Sequence, residues 1–244
     1  MEARRGRPTP VLSVVIPAHN EAFELPRTLA TLGDALRALD EPSEIVVVDD
    51  ASDDGTARLA VEAGASVVPV DVRQIAAARN LGAASAAGEF LLFVDADTRV
   101  DAPILREAVA ALRSGAVGGG ALVSWEPPVP WWGRVYLWLF MLVWRRLGHA
   151  AGCFFFVRRA DFDAVGGFDE RFYASEEVWL SKALRARGRF VILGRRVLTS
   201  PRKVRMSTAA GLFLTSLRIL LRGPRGWQRR EGLELWYDGR REGR

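Results

Sequence analysis

Short, β-branched apolar runs alternate with stretches of helical period through the first half of this chain, and that alternation leaves few folds open. Residues 12–16, 44–48, 67–70 and 89–94 have the length and composition of buried strands. Between the first two, Leu25, Leu29, Leu32, Leu36 and Leu39 recur at spacings of four and three, one face of a helix. Asp53-Asp54-Gly55-Thr56 turns the chain into a second helix of about ten residues. Residues 75–87 read as a small-residue helix, and Asp101 caps a further one with Pro103 in its first turn. Strand and helix alternate to residue 114, which predicts an α/β fold: a Rossmann-like, mostly parallel sheet with helices on both faces.

In such sheets ligands bind beyond the carboxyl ends of the strands. Asn20, Asp49, Asp50, Asp95 and Asp97 all follow apolar runs, so three strand ends aim acidic or amide groups at one edge. After residue 115 the texture changes. Gly118-Gly-Gly120 leads into a strand over 121–125, and an aromatic-rich apolar stretch follows, Trp131-Trp132 and then residues 135–144. A strand over 154–157, a helix over 175–187 and a strand over 190–193 close the sheet region. An apolar helix over 209–221 and an arginine-rich tail to residue 244 form a C-terminal helical extension. The expected division is a basic arm (1–10), one domain (11–205, its halves meeting at 114/115), and the extension (206–244).

Composition narrows the chemistry. One cysteine, Cys153, excludes a disulfide framework, and two histidines cannot build a three-histidine zinc centre. No run reaches the roughly 18 apolar residues of a membrane span, and no signal-peptide core follows the basic N-terminus, so the expected location is cytoplasmic. The net charge is +5, and all but two of the 34 basic residues are arginine. That balance suits nucleotides, anionic lipid or nucleic acid, and equally a solvated surface.

Several clusters carry chemistry. Asp95-Ala-Asp97 follows a strand, and side chains two apart on a strand share a face, so both carboxylates can converge on one hard cation, Mg²⁺ or Mn²⁺, itself bound to diphosphate oxygens. A solvated turn is the alternative. Four carboxylates fall between Asp49 and Asp54; helix capping accounts for one or two of them, but not for Asp49 and Asp50 on the strand end. Glu176-Glu177 opens a helix, where the dipole favours ionised carboxylates and where one of them can accept a proton from an attacking hydroxyl. Arg202-Lys203 is either a surface pair or a stabiliser of departing phosphate charge.

Together these segments resemble family 2 glycosyltransferases of the GT-A fold. The resemblance rests on Ser13-Val-Val-Ile-Pro-Ala-His-Asn-Glu21, Val48-Asp-Asp-Ala-Ser-Asp-Asp-Gly-Thr56 and Ala78-Arg-Asn-Leu-Gly82. It continues through Gly88-Glu-Phe-Leu-Leu-Phe-Val-Asp-Ala-Asp97, Gly166-Gly-Phe-Asp-Glu170 and Ser175-Glu-Glu-Val178, in family order over roughly residues 11–205. It implies a nucleotide-diphosphate sugar donor and an acceptor hydroxyl, a transferase of the hexosyl type. By the same resemblance Pro17, Asn20 and Glu21 line the nucleotide pocket, Asp50 reads the base edge, Arg79 lies near the nucleotide, Asp95 faces the ribose and Asp97 the metal. Glu177 stands where the family has the aspartate of a Glu-Asp pair, the general base; Glu176 remains the alternative. Arg202 and Lys203 match a basic pair that some members place after the last strand, near the diphosphate. The implied reaction is one inverting displacement, dependent on a divalent metal.

Rival readings fit less well. A haloacid-dehalogenase-type phosphatase or phosphotransferase wants its Asp-x-Asp on the first strand and a small hydroxyl residue at position 99, where Arg99 stands. A response-regulator receiver is about half this length, and Lys182 sits inside a helix rather than after a strand. A dinucleotide oxidoreductase needs glycines where Pro17-Ala-His-Asn20 stands. A non-catalytic nucleotide-sugar binder keeps the nucleotide residues and has no need of Glu177. No nucleic-acid partner is expected. The tryptophans of 131–144 with Arg145-Arg146, and the 209–221 segment with its arginines, fit either a peripheral membrane contact serving a lipid-linked acceptor or packing on the sheet.

Overall fold

The structure is a computed structural model that describes residues 9–205 together with Gly211, Leu214, Gly223, Trp227 and Gln228. The expected basic arm (through residue 8) and most of the C-terminal extension lie outside the described residues. In chain order the elements begin β1 (Leu12–Ala18), α1 (Leu25–Leu39), β2 (Ser43–Asp50), α2 (Thr56–Glu62), β3 (Ser66–Val70), α3 (Ile75–Ser85) and β4 (Phe90–Val94). There follow β5 (Thr98–Arg99), α4 (Ala102–Arg113), β6 (Gly118–Trp125), α5 (Trp131–Leu147) and β7 (Phe154–Arg158). The last are α6 (Arg159–Ala164), α7 (Glu176–Arg187), β8 (Phe190–Thr199) and α8 (Arg202–Arg205).

Eight strands form one sheet in the order β3-β2-β1-β4-β7-β6-β8-β5. The first four are parallel, as the alternation predicts; β7 then runs antiparallel to both β4 and β6. Period-two alternation divides the core between the faces. Val14, Ile16, Val47, Leu92 and Val94 face α1 and α4, while Val15, Val48, Leu91 and Phe93 face α3, α6 and α7. From β1 the chain crosses to β2 on one side, and it later returns to β4 on the other. That reversal opens a crevice at the carboxyl ends of β1 and β4.

Three details depart from the sequence reading. Helix α2 is seven residues, shorter than expected. Gly118, Gly119 and Gly120 belong to β6 itself: a Cβ on Gly119 would stand 2.1 Å from the Val191 carbonyl oxygen and 2.4 Å from the Phe156 ring, so the strand packs there only without side chains. Strand β8 runs to Thr199 and is not the sheet edge, because the two-residue β5 pairs outside it. The capping expectation holds, Asp101 Oδ1 accepting from the Ile104 N–H at 2.9 Å.

Two helical glycines have opposite expected effects. A Cβ on Gly82 of α3 would lie 2.4 Å from Val15 Cγ1 and 2.7 Å from Val48 Cγ2; at Gly33 of α1 the nearest atom is the end of Arg37, 3.5 Å away. Alanine gains about 1 kcal/mol over glycine by helix propensity, whereas overpacking a core costs about 1–3 kcal/mol. Thermal denaturation should show Gly33→Ala raising the Tm and Gly82→Ala lowering it.

Candidate functional site

The loops after β1 and β2 are stitched together. The Asn20 N–H donates to Ser52 Oγ (2.9 Å), the Asp53 N–H to Asn20 Oδ1 (3.0 Å), the Glu21 N–H to Thr56 Oγ1 (2.9 Å) and the Ala22 N–H to Asp54 Oδ2 (3.0 Å). Asp54 Oδ1 also accepts from the Thr56 N–H at 3.0 Å, capping α2 from one residue before its Gly55 N-cap. Part of the acidic run is thus structural. Asn20 and Ala51 both hold positive φ, 55° and 53°, where non-glycine residues are uncommon and mark constrained loops.

Asp50 pins the next loop. Its Oδ1 accepts from the Val72 and Arg73 N–H groups at 2.8 and 3.0 Å, and the residue is buried. His19 Nδ1 lies 2.8 Å from the Asp50 carbonyl oxygen, and Arg73 Nη1 lies 2.8 Å from His19 Nε2. Arginine can only donate, so Nε2 accepts and Nδ1 carries the proton toward that carbonyl. His19 and Arg73 therefore belong to the Asp50 corner. Composition alone weighs His19 only as a metal ligand; its place after a strand end is the sequence signal of this corner.

Arg79 occupies the centre. It is 1% exposed and donates from Nη1 to Glu176 Oε1 (2.7 Å) and from Nη2 to Asp95 Oδ1 (2.9 Å) and the Gly152 carbonyl (2.9 Å). Its guanidinium carbon sits 5.2 Å from the Phe168 ring centroid. Burial works to lower its pKa, but the charges of Asp95, Glu176 and Glu177 overcome this and raise it, so it stays a cation. Helix α3 approaches close enough for these contacts because Gly82, three residues on, lets it rest on Val15 and Val48.

Glu176 is buried against Arg79, whereas Glu177 points to the Gly152 side, where a Cβ on that glycine would be 3.7 Å from its carboxyl carbon. The Glu177 pKa is pushed up to about 8, first by burial and then by the Glu176 charge, with Arg79 pulling the other way. Ser175, just before this pair, holds φ of 61° and sets the entry of α7.

The two carboxylates of Asp95-Ala-Asp97 do not share one partner. Strand β4 ends at Val94, and a turn follows in which the Thr98 N–H donates to the Asp95 carbonyl (3.0 Å). Strand periodicity therefore stops before it can align the pair. Asp95 keeps the α3 side and Arg79. Asp97 meets Arg202, whose Nη2 lies 3.2 Å from Asp97 Oδ2. Arg202 also grips Glu21 with two parallel contacts of 2.6 Å. Burial would lower the Arg202 pKa, but the hydrogen bond to Glu21 and the charges of Asp97, Glu21 and Glu24 raise it. Pro17 lies within β1 beside Val48. Lys203 belongs to α8; its side chain lies outside the described residues.

Among the described residues no three His, Cys, Asp or Glu side chains converge as a metal cage. The donor set nevertheless fits a cation shared with a ligand. Asp97 and Glu21 already hold one positive group, the Arg202 guanidinium, between them. A hard divalent ion bound through Asp97 would draw its other oxygens from phosphates and water, as such ions commonly do.

Residues 13–166 match the family described as Glycosyl transferase family 2. Among relatives, validoxylamine A glucosyltransferase of Streptomyces hygroscopicus is 32% identical over 73% of this chain and 52% of its own length. Undecaprenyl-phosphate mannosyltransferase of Micrococcus luteus is 34% identical over 50% of this chain and 56% of its own. The chain spans about a quarter to just over half of the length of the curated relatives it matches. A mannosyltransferase from Pyrobaculum calidifontis, solved with GDP-Man and Mn²⁺, superimposes with a TM-score of 0.62 at 20% identity, over 87% of this chain and 65% of that one. S. aureus TarS with UDP-GlcNAc gives 0.59 at 20% identity, over 78% and 58%. At that identity the likeness is one of fold, and the fold is GT-A.

Arg79→Leu removes the cation from between buried carboxylates, and breaking a buried ion pair costs about 3–5 kcal/mol. It also removes the charge that holds the Glu177 pKa down. A carboxylate pKa raised in the folded state withdraws stability as pH climbs toward it. Urea denaturation should therefore show a deficit for Arg79→Leu that deepens as pH rises above about 8, where Glu177 of the wild type has lost its proton and that of the variant still holds it. A deficit that stays constant across about pH 8 would place the cost in packing alone.

Proposed function

The chain belongs to glycosyl transferase family 2, and on that premise we propose that it moves a hexosyl group from a nucleotide-diphosphate sugar to an acceptor hydroxyl in one inverting displacement. The observation that carries the reading is the Arg79 bridge, which ties the helix start carrying Glu176 and Glu177 to Asp95, two residues before the Asp97 that meets Arg202. The solved neighbours that hold GDP-Man with Mn²⁺ and UDP-GlcNAc support it by fold. The half over 11–114 supplies the donor pocket, and 115–205 supplies the acceptor side. The cytoplasmic location expected from the sequence stays part of this reading.

In this assignment Asp50, with Oδ1 committed to backbone, accepts a base N–H at Oδ2, and His19 and Arg73 border the base. Pro17, Asn20 and Glu21 wall the nucleotide. Arg79 is too buried to meet the nucleotide; it fixes Asp95 on the ribose side and holds Glu176 in an ion pair, which leaves Glu177 as the base. Glu177 takes the acceptor O–H proton, the acceptor oxygen bonds to the anomeric carbon, and the bond to the diphosphate breaks with its electron pair on the departing nucleotide. A divalent ion held through Asp97, Mg²⁺ or Mn²⁺, supplies charge neutralisation at the diphosphate when bound. Arg202 then gives up Asp97 and adds its positive charge there, with Lys203 beside it in sequence. The phosphatase alternative lacks its hydroxyl group: Arg99 is buried in an ion pair with Glu24 and donates to Thr28.

Incubation with a panel of UDP- and GDP-sugars and Mn²⁺ or Mg²⁺, following nucleoside-diphosphate release, tests the class. No turnover with any donor, and no binding of one, would sink it. A base must be deprotonated to act, so kcat/KM should rise with pH through about 8. Glu177→Gln should lower turnover about 10²- to 10⁴-fold with donor binding kept, since the base acts on the acceptor. If Glu176→Gln is dead and Glu177→Gln active, the base is Glu176.

A further inference from the structure

Helix α5 has two unlike faces. Inward, Gly133 and Met141 are buried, Leu137, Phe140 and Trp144 pack on the core, and Tyr136, Phe140 and Trp144 stack in sequence along the helix. Outward, Trp131 and Trp138 are 77% and 60% exposed, and Val135, Leu139, Leu142 and Val143 are exposed with them. At about 100° per residue, Trp131, Val135, Trp138 and Leu142 fall within about 60° of one another. Arg134 and Arg145 border that stripe on one side and Arg146 on the other, all three exposed. The helix contains no acidic residue.

We propose that this outer face of α5 docks on the surface of an anionic lipid bilayer, the helix lying in the plane of the interface. Tryptophan favours the headgroup depth, exposed aliphatic side chains add buried apolar area, and arginines along both borders meet anionic headgroups. With its inner face packed on the core, α5 itself can only lie along a bilayer surface, and no helix among the described residues is long and apolar enough to cross a membrane. Charge decides against the other occupants. A second copy packed about a two-fold axis would set Arg134, Arg145 and Arg146 against themselves. The chain's own 206–244 extension carries eight arginines against four acidic residues, so its net charge is positive and it offers no complement either. An anionic bilayer does.

The placement bears on substrate. Helix α5 ends at Leu147, and five residues later Gly152 gives its carbonyl to Arg79 beside Glu177. Resting on the glycosyltransferase reading above, docking through α5 ties the loop that borders Glu177 to a membrane-bound helix and assigns an amphiphilic acceptor.

Co-sedimentation of the full chain with vesicles, without donor or acceptor, tests the docking separately from the chemistry. Binding is expected to phosphatidylcholine vesicles containing phosphatidylglycerol, to weaken with salt, and to fall on pure phosphatidylcholine. Each arginine near an anionic surface contributes about 1 kcal/mol, so Arg145→Ala with Arg146→Ala should weaken partitioning about thirty-fold. Trp138→Ser should weaken it as well, while Val61→Ser, an exposed apolar position on α2, should not. All these positions are exposed, and unchanged melting temperatures confirm folding. Wild-type protein left in the supernatant at low salt overturns the proposal, as does α5-variant binding equal to wild type. So does a concentration-dependent dimer that Trp138→Glu abolishes, which would give the face to a second copy. Vesicle binding without sugar transfer from any donor would leave the docking intact and defeat only the reading of the reaction.

Discussion

A guanidinium taken almost wholly out of water has to find acceptors for its charge, and the site is built around the way Arg79 does so from its two terminal nitrogens, its Nε being left without a hydrogen-bond partner. Its partners come from four places in the chain: Asp95 after β4, Glu176 at the start of α7, the Gly152 carbonyl in the loop before β7, and the Phe168 ring before α7. One side chain thereby holds the parallel half of the sheet to the antiparallel half at the level of the crevice. A desolvated ion pair is a weak source of net stability but a strict geometric constraint, since loss of either partner leaves a buried charge. The same contacts separate two adjacent glutamates that the sequence presents as equals. Glu176 is tied to a cation, and Glu177 is left beside it in a desolvated position with its proton held more tightly.

Arg202 makes a second, more open bridge. It arrives just after β8 and joins Glu21 after β1 to Asp97 after β4, spanning both walls of the crevice. The two arginines occupy opposite sides of the Asp95–Asp97 turn, and each takes one carboxylate. Arg79 is enclosed and has a structural part, whereas Arg202 sits nearer solvent on the first residue of a four-residue helix, where an exchange of partners costs less reorganisation. Positive charge thus stands between two acidic strand ends on either side of the crevice.

Much of this was legible in the chain. The four parallel strands, the helices between them and the edge carrying Asn20, Asp50, Asp95 and Asp97 follow from period and punctuation alone, because a strand buried on both faces and a helix buried on one leave different patterns. Other features left no such mark. The glycines of β6 look like a loop until Phe156 and the Val191 carbonyl are set against them. The part played by His19 and Arg73 depends on loops from three strands meeting, and no window of sequence contains it.

The sequence by itself determined the order of the elements, the family and the residue types at the strand ends, because each of these is written in local spacing. Tertiary structure alone decided which charges face one another. Asp95 and Asp97 are two residues apart yet meet different arginines, 16 and 105 positions away, because a turn interrupts the strand alternation between them. Glu176 and Glu177 are neighbours yet differ in burial and partner, because successive residues on a helix point about 100° apart. Long-range pairing in a low-dielectric crevice sets their chemistry, and that pairing exists only once the sheet has closed.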